Sequence, residues 1–297
     1  MTENFILSCE STVDLPFDYV TGRNISVLFY TYQIDGVEYV DNMGRKPEDL
    51  KRFYDLIAEG KVPTTSQINE YTYYDYFDEL LKKGDVLHIA FGSGMTPSVN
   101  NALKAAENLK EKYPDRKLVI IDSLCSCCGY GLIVDSAADV RDEGKDIEET
   151  AQYVRDNCTR VCHQFFSTDI KYFKRSGRVS GPAATVASIL GICPIMHLDL
   201  KGKIVAYDKA RGKKNAVSRT VKEIVEQADN GAKYSGKCFV GQSNCMEEAL
   251  MTVKELETAI PTLKGNIKIF DIGTIIASHC GPGTVAVFFF GTKSHVD

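Results

Sequence analysis

Two segments constrain the fold most: D-V-L-H-I-A-F at 85–91 and K-L-V-I-I-D at 117–122. Each is apolar almost throughout rather than at alternate positions. Each runs into a loop of Gly, Ser or Thr and then into a stretch of helical periodicity. A strand with one wet face alternates, whereas one apolar on both faces must be covered on both. Two such strands separated by helices predict a parallel sheet with crossover helices on its faces. F-I-L-S-C at 5–9 is read as a first strand of the same kind.

The rest of the first half fits this frame. Residues 25–32 and 37–40 read as strands around the turn Asp35-Gly36, and Pro47 opens a helix ending near Gly60. A polar loop at 62–69 precedes a helix with Tyr73, Phe77, Leu80 and Leu81 on one face. The helix over 99–112 is expected to turn Leu103, Ala106 and Leu109 inward, with Ser98 as its N-cap. An apolar helix is expected over 131–141, and Asp146 and Glu149 form a capping pair for another reaching about 159. After a strand at 161–167 the texture changes. A basic, turn-rich stretch at 174–182 is followed by a short helix at 183–190, strands at 194–199 and 204–207, and a long helix over 213–228. Strand, helix and strand follow at 237–241, 245–259 and 267–271, with a last strand at 286–290. The expected class is α/β with two domains: an N-terminal parallel-sheet α/β/α domain, 1–165, and a C-terminal α+β domain, 166–297. The division falls in the zone 160–175.

Bulk properties narrow the function. The net charge of -5 gives no bias toward nucleic acid or an anionic membrane. No apolar stretch is long enough to span a bilayer, and the start lacks a signal-peptide pattern, so a cytoplasmic location is expected. In that setting Cys9, Cys193, Cys238, Cys245 and Cys280, scattered singly among the ten cysteines, read as small buried hydrophobes. Cys125, Cys127 and Cys128, with Cys158, Cys162 and His163 further on, lack the paired spacing of a zinc site, and no metal is expected.

Catalytic and nucleotide signatures are missing. There is no G-x-x-x-x-G-K-[ST], no G-x-G-x-x-G, no G-x-S-x-G and no H-E-x-x-H. What remains is hydroxyls on three loops: Thr64, Thr65 and Ser66; Ser93, Thr96 and Ser98; Ser123 and Ser126. Hydroxyls and backbone N–H groups beside glycine can cradle an anion without adding charge. Two of the loops leave parallel strands at their carboxyl ends, where ligands of such sheets lie. Arg178 in S-G-R-V-S and His279 in H-C-G-P-G-T are further candidates. The competing reading is a small-anion hydrolase using Ser93 and His279.

Six segments in order resemble the DegV family of bacterial fatty-acid-binding proteins. They are E-S-T-V-D-L-P at 10–16, T-S-Q-I-N at 65–69, G-S-G-M-T-P-S at 92–98, D-S-L-C-S-C-C-G-Y-G at 122–131, S-G-R-V-S at 176–180 and H-C-G-P-G-T at 279–284. Glu10 stands where the family has aspartate, Thr96-Pro97 where it has Ser-Gly, and Cys127 where it has serine. The resemblance implies two α/β domains with a fatty acid between them. It implies a carboxylate held by Thr65 and by Ser93 or Thr96, with Ser66 on the same loop, and His279 nearby. Ser93 is preferred on identity and Thr96 on loop position. Arg178 is implied as a partner contact or lid residue. It further implies a non-catalytic protein with no cofactor besides its bound acid, serving a separate fatty acid kinase. A lipid-binding sensor without a kinase is the remaining alternative.

Overall fold

The computed structural model describes residues 5–180 and 191–292. The short helix expected at 183–190 lies outside them. The strands in chain order are β1 (Ile6–Glu10), β2 (Ile25–Leu28), β3 (Thr31–Ile34), β4 (Val37–Val40), β5 (Thr64–Thr65), β6 (Val86–Ala90) and β7 (Leu118–Asp122), then β8 (Val161–Ser167), β9 (Val179–Ser180), β10 (Ile192–Leu198), β11 (Ile204–Arg211), β12 (Cys238–Gln242), β13 (Ile267–Asp271) and β14 (Thr284–Phe290). The helices are α1 (Phe17–Thr21), α2 (Pro47–Ala58), α3 (Glu70–Leu81), α4 (Ser98–Leu109), α5 (Cys127–Asp142), α6 (Ile147–Asn157), α7 (Lys171–Ser176), α8 (Lys213–Gln227), α9 (Met246–Ala259) and α10 (Thr274–Cys280).

Sheet order follows the reading of the apolar strands. A four-stranded sheet runs β2-β1-β6-β7 with every pair parallel. A mixed seven-stranded sheet runs β13-β12-β14-β8-β10-β11-β9. All of β8 pairs in this larger sheet, so the 165/166 division falls inside that strand. A small third sheet, β4-β3-β5, carries the 64–65 segment.

Three expectations change in detail. The run 25–32 is two strands, not one: β2 joins the parallel sheet, and β3 turns away at Phe29-Tyr30 to form a hairpin with β4. Apolar character is equal on both sides of that break, so periodicity does not reveal it. The buried face of α4 is Val99, Ala102, Ala105 and Leu109, while Leu103 is half-exposed. Ser98 is the first residue of α4 and not its cap. Its hydroxyl bonds the Ile68 carbonyl and the Tyr73 hydroxyl instead.

The helix expected over 131–141 begins four residues earlier, at Cys127, and is buried along nearly its whole length. The reason is its position between the two main sheets. A Cβ on Gly131 would stand 2.5 Å from the Val13 carbonyl oxygen, beneath the parallel sheet. A Cβ on Gly129 would strike the His163 ring and lie 2.7 Å from Phe288, both on the larger sheet. The two glycines let the layers approach from both sides. Asp135, also on α5, is buried and accepts from Arg23 at 2.6 Å and from Lys237, tying the sheets together again. All ten cysteines are buried and none is in a disulfide, in line with the reading of Cys9, Cys193, Cys238, Cys245 and Cys280 as small hydrophobes. No described helix is long and apolar enough to cross a membrane.

Candidate functional site

A cavity of about 600 Å³ opens between the sheets at the carboxyl ends of the parallel strands. Its polar wall comes from four places. Thr65 ends β5 and Ser66 follows it, Thr96 lies in the loop after β6, Ser126 precedes α5, and His279 sits in the last turn of α10. Thr65 Oγ1 and His279 Nε2 are 2.7 Å apart, across 214 residues of chain. Burial, helped by the positive charges of Arg178 and Arg175, holds the His279 pKa down to about 4. The ring is therefore neutral at pH 7.

Arg178 lines the same cavity. Its guanidinium donates to the backbone carbonyls of Ser176 (2.7 Å) and Met95 (3.3 Å). Among the described residues it has no carboxylate partner, so its charge is left to whatever enters the mouth. Tyr30 also lines the cavity, and its buried hydroxyl lies beside the hydroxyls of Ser98 and Tyr73. Sequence reasoning missed Tyr30; its only signal is its place just beyond the carboxyl end of β2.

Ser93 is placed differently. It is exposed and does not line the cavity, and its backbone N–H bonds Asp122 Oδ1 at 3.0 Å. Its amide holds the 92–98 loop onto the end of β7. Thr96, three residues on, is the hydroxyl of this loop that reaches the cavity. The third loop contributes Ser126, whose N–H donates to His163 Nε2 at 3.1 Å. That bond makes Nε2 the acceptor, so the proton sits on Nδ1 and donates to the Val161 carbonyl at 3.0 Å.

Beyond Ser126 lies an adjoining space of about 400 Å³. Ser126, Phe173, Ile204, Ile276 and Cys280 line both. Phe165, Leu198, Ile272, Ala286 and Phe288 complete a wall that is almost wholly apolar. A polar mouth and an apolar interior suit an amphiphile with a small anionic end.

One arrangement resembles a catalytic relay. Ser8 Oγ is 2.9 Å from His88 Nδ1, and His88 Nε2 is 3.3 Å from Glu10 Oε1. All three residues have zero exposure, so no substrate reaches the serine. Glu10 also accepts from the Tyr73 hydroxyl and from Phe91 N–H at 2.7 Å. The network thus anchors the strand end from which the 92–98 loop departs. Among the described residues no three His, Cys, Asp or Glu side chains gather to hold a metal.

Comparison with known proteins agrees with this architecture. The DegV family model, described as that of uncharacterised proteins, matches residues 7–292. A DegV domain-containing protein of Clostridium perfringens is 34% identical over 290 residues, covering 97% of this chain and 98% of the relative. A solved structure of a fatty acid binding DegV family protein from Streptococcus agalactiae superposes with a TM-score of 0.80 at 25% identity, covering 98% and 99% of the two chains. The Streptococcus pneumoniae Fatty Acid Kinase (Fak) B3 protein, loaded with linoleic acid, superposes with a TM-score of 0.81 at 19% identity, covering 97% and 99%. With a match along almost its full length and a curated relative above 30% identity, the chain belongs to the DegV family.

Proposed function

We propose that the chain binds one long-chain fatty acid, carboxylate at the mouth and tail in the apolar space beyond Ser126. The observation that carries this reading is the pair of adjoining cavities with shared lining residues, one with hydroxyls, a neutral imidazole and one cation, the other with aliphatic and aromatic side chains. Each buried methylene contributes about 0.8 kcal/mol, so the tail supplies most of the affinity. The head group then needs only enough hydrogen bonds to offset desolvation of its charge.

Those bonds come from a short relay. The Nε2–H tautomer of His279 donates to Thr65 Oγ1, which frees the Thr65 hydroxyl proton to donate to a carboxylate oxygen. Thr96 is the further donor, preferred to Ser93 because it lines the cavity. Arg178 covers the mouth as a lid residue. The protein itself performs no chemistry on the acid and presents it to a separate fatty acid kinase. The small-anion hydrolase reading has less support, since Ser93 does not line the cavity that holds His279 and the Nε2 of His279 is bonded to Thr65.

The test is titration of delipidated protein with a long-chain fatty acid and its methyl ester. The reading expects tight one-to-one binding of the acid and much weaker binding of the ester. Equal affinity for both would overturn the head-group assignment. Combining the chain, fatty acid, ATP and a fatty acid kinase should then yield acyl phosphate only when the chain is present.

A further inference from the structure

The second cavity worth attention lies at the opposite end of α10 from His279. It has a volume of about 840 Å³ and shares no lining residue with the fatty-acid cavity. Asp14 and Asp41 form its floor, with 5% and 2% of their surface exposed. Asp14 follows the turn Ser11–Val13 in a left-handed conformation, φ 49°, which turns its carboxylate inward. Asp14 has the Cys127 thiol and the Gly273 N–H as its nearest donors, neither well aligned on its oxygens. Asp41 Oδ1 accepts from Thr274 Oγ1 at 3.2 Å, the Ser11 hydroxyl and the Met43 N–H also lie beside the carboxylate, and Oδ2 has no well-aligned donor.

Two of these oxygens converge on Gly273. A Cβ placed on Gly273 would stand 2.5 Å from Asp14 Oδ1 and 3.6 Å from Asp41 Oδ2. Asp14 Oδ1 thus packs directly against Gly273, where any side chain would displace it, with Asp41 Oδ2 beside it. Two more carboxylates, Asp49 and Asp271, line the exposed rim. Among the described residues none of the four carboxylates has a Lys or Arg within ion-pair distance. The nearby Arg45 instead rests over the rings of Phe17 and Phe29. Burial pushes the Asp14 carboxyl well above the usual range, with the charge of Asp41 adding to it, and pushes Asp41 up to about 6.

Buried carboxylates without partners are costly, and in proteins they are paired or coordinate a metal. The donors around the convergence point are oxygens: Asp14, Asp41 and the hydroxyls of Ser11 and Thr274. Oxygen sets of one or two carboxylates plus neutral donors and retained water suit hard divalent cations. We propose that this cavity is a binding site for a hard divalent cation, of the Mg²⁺ or Ca²⁺ class, held between Asp14 and Asp41. The proposal is independent of the fatty acid.

The test uses the full chain and Tb³⁺ as a probe, with luminescence excited through tyrosine; Tyr32 lines the cavity. One saturable site per chain is expected, displaced by Ca²⁺ or Mg²⁺ and lost in Asp14→Asn and Asp41→Asn. Should those variants fail to fold, the rim pair Asp49→Asn with Asp271→Asn leaves Asp14 and Asp41 in place and should weaken Tb³⁺ binding about tenfold, since two negative charges beside the site are removed. No saturable signal, or unchanged affinity in the rim variant, would overturn the proposal. So would a gain in Tm in Asp14→Asn without any cation dependence, which would show that protons alone neutralise the pair.

Discussion

Replacing Thr65 with valine tests the head-group relay with little change in shape. The substitution removes one hydroxyl and leaves the branched side chain on β5, paired to β3. Two effects follow. In the free protein His279 Nε2 loses its 2.7 Å partner. The ring is only partly buried, so water can replace the lost bond and stability should fall by no more than about 1 kcal/mol. In the complex a charge-assisted hydrogen bond to the carboxylate disappears, which costs about 1.5–3 kcal/mol. At about 1.4 kcal/mol per decade, the fatty acid should bind roughly ten- to 150-fold more weakly. The measurement is displacement of a fluorescent fatty acid from delipidated protein, beside thermal unfolding of the same samples. The methyl ester, which cannot accept the bond as a charged group, should be nearly unaffected. An affinity within twofold of wild type, with an unchanged Tm, would refute the relay.

Three further outcomes are expected. Thr96→Val should weaken fatty acid binding about tenfold, whereas Ser93→Ala should leave it unchanged by the same displacement assay, because Ser93 does not line the cavity. Ala286→Leu narrows the apolar end of the cavity, and should shift preference toward shorter acyl chains in a competition series; an unchanged order of preference would place the tail elsewhere. His279 titrates near 4 in the fold against about 6.5 when unfolded. The unfolded state therefore binds more protons between these values, and this residue's contribution to stability falls as pH drops from 6.5 toward 4. Denaturant unfolding at several pH values should show this slope as a difference between wild type and His279→Gln, and parallel curves would contradict it.

The architecture was largely legible because its strongest signals are local. Apolar strands at 85–91 and 117–122 became β6 and β7, and the Asp146–Glu149 capping box is present as read. Less legible were features set by what a segment packs against. The start of α5 at Cys127 and its burial follow from two sheets closing on Gly129 and Gly131, which no single window of sequence reports. The site divides in the same way. Thr65 and His279, named on motif resemblance, meet at 2.7 Å. Ser93 and Thr96 look equivalent in sequence because both are hydroxyls in one loop. Only the path of that loop, pinned to Asp122 through the Ser93 amide, turns Thr96 toward the cavity and Ser93 away. Glu10 is similar: in place of the family's aspartate, it reaches Tyr73, His88 and the Phe91 amide, partners that come from distant segments.

The central claim concerns what fills the cavity between the sheets. Native mass spectrometry of the protein purified from its host without detergent or organic solvent addresses it directly. The account predicts one long-chain acyl mass per chain, released on denaturation and restored when free fatty acid is added back. A native mass equal to that of the bare chain, with no uptake of added fatty acid, would contradict it.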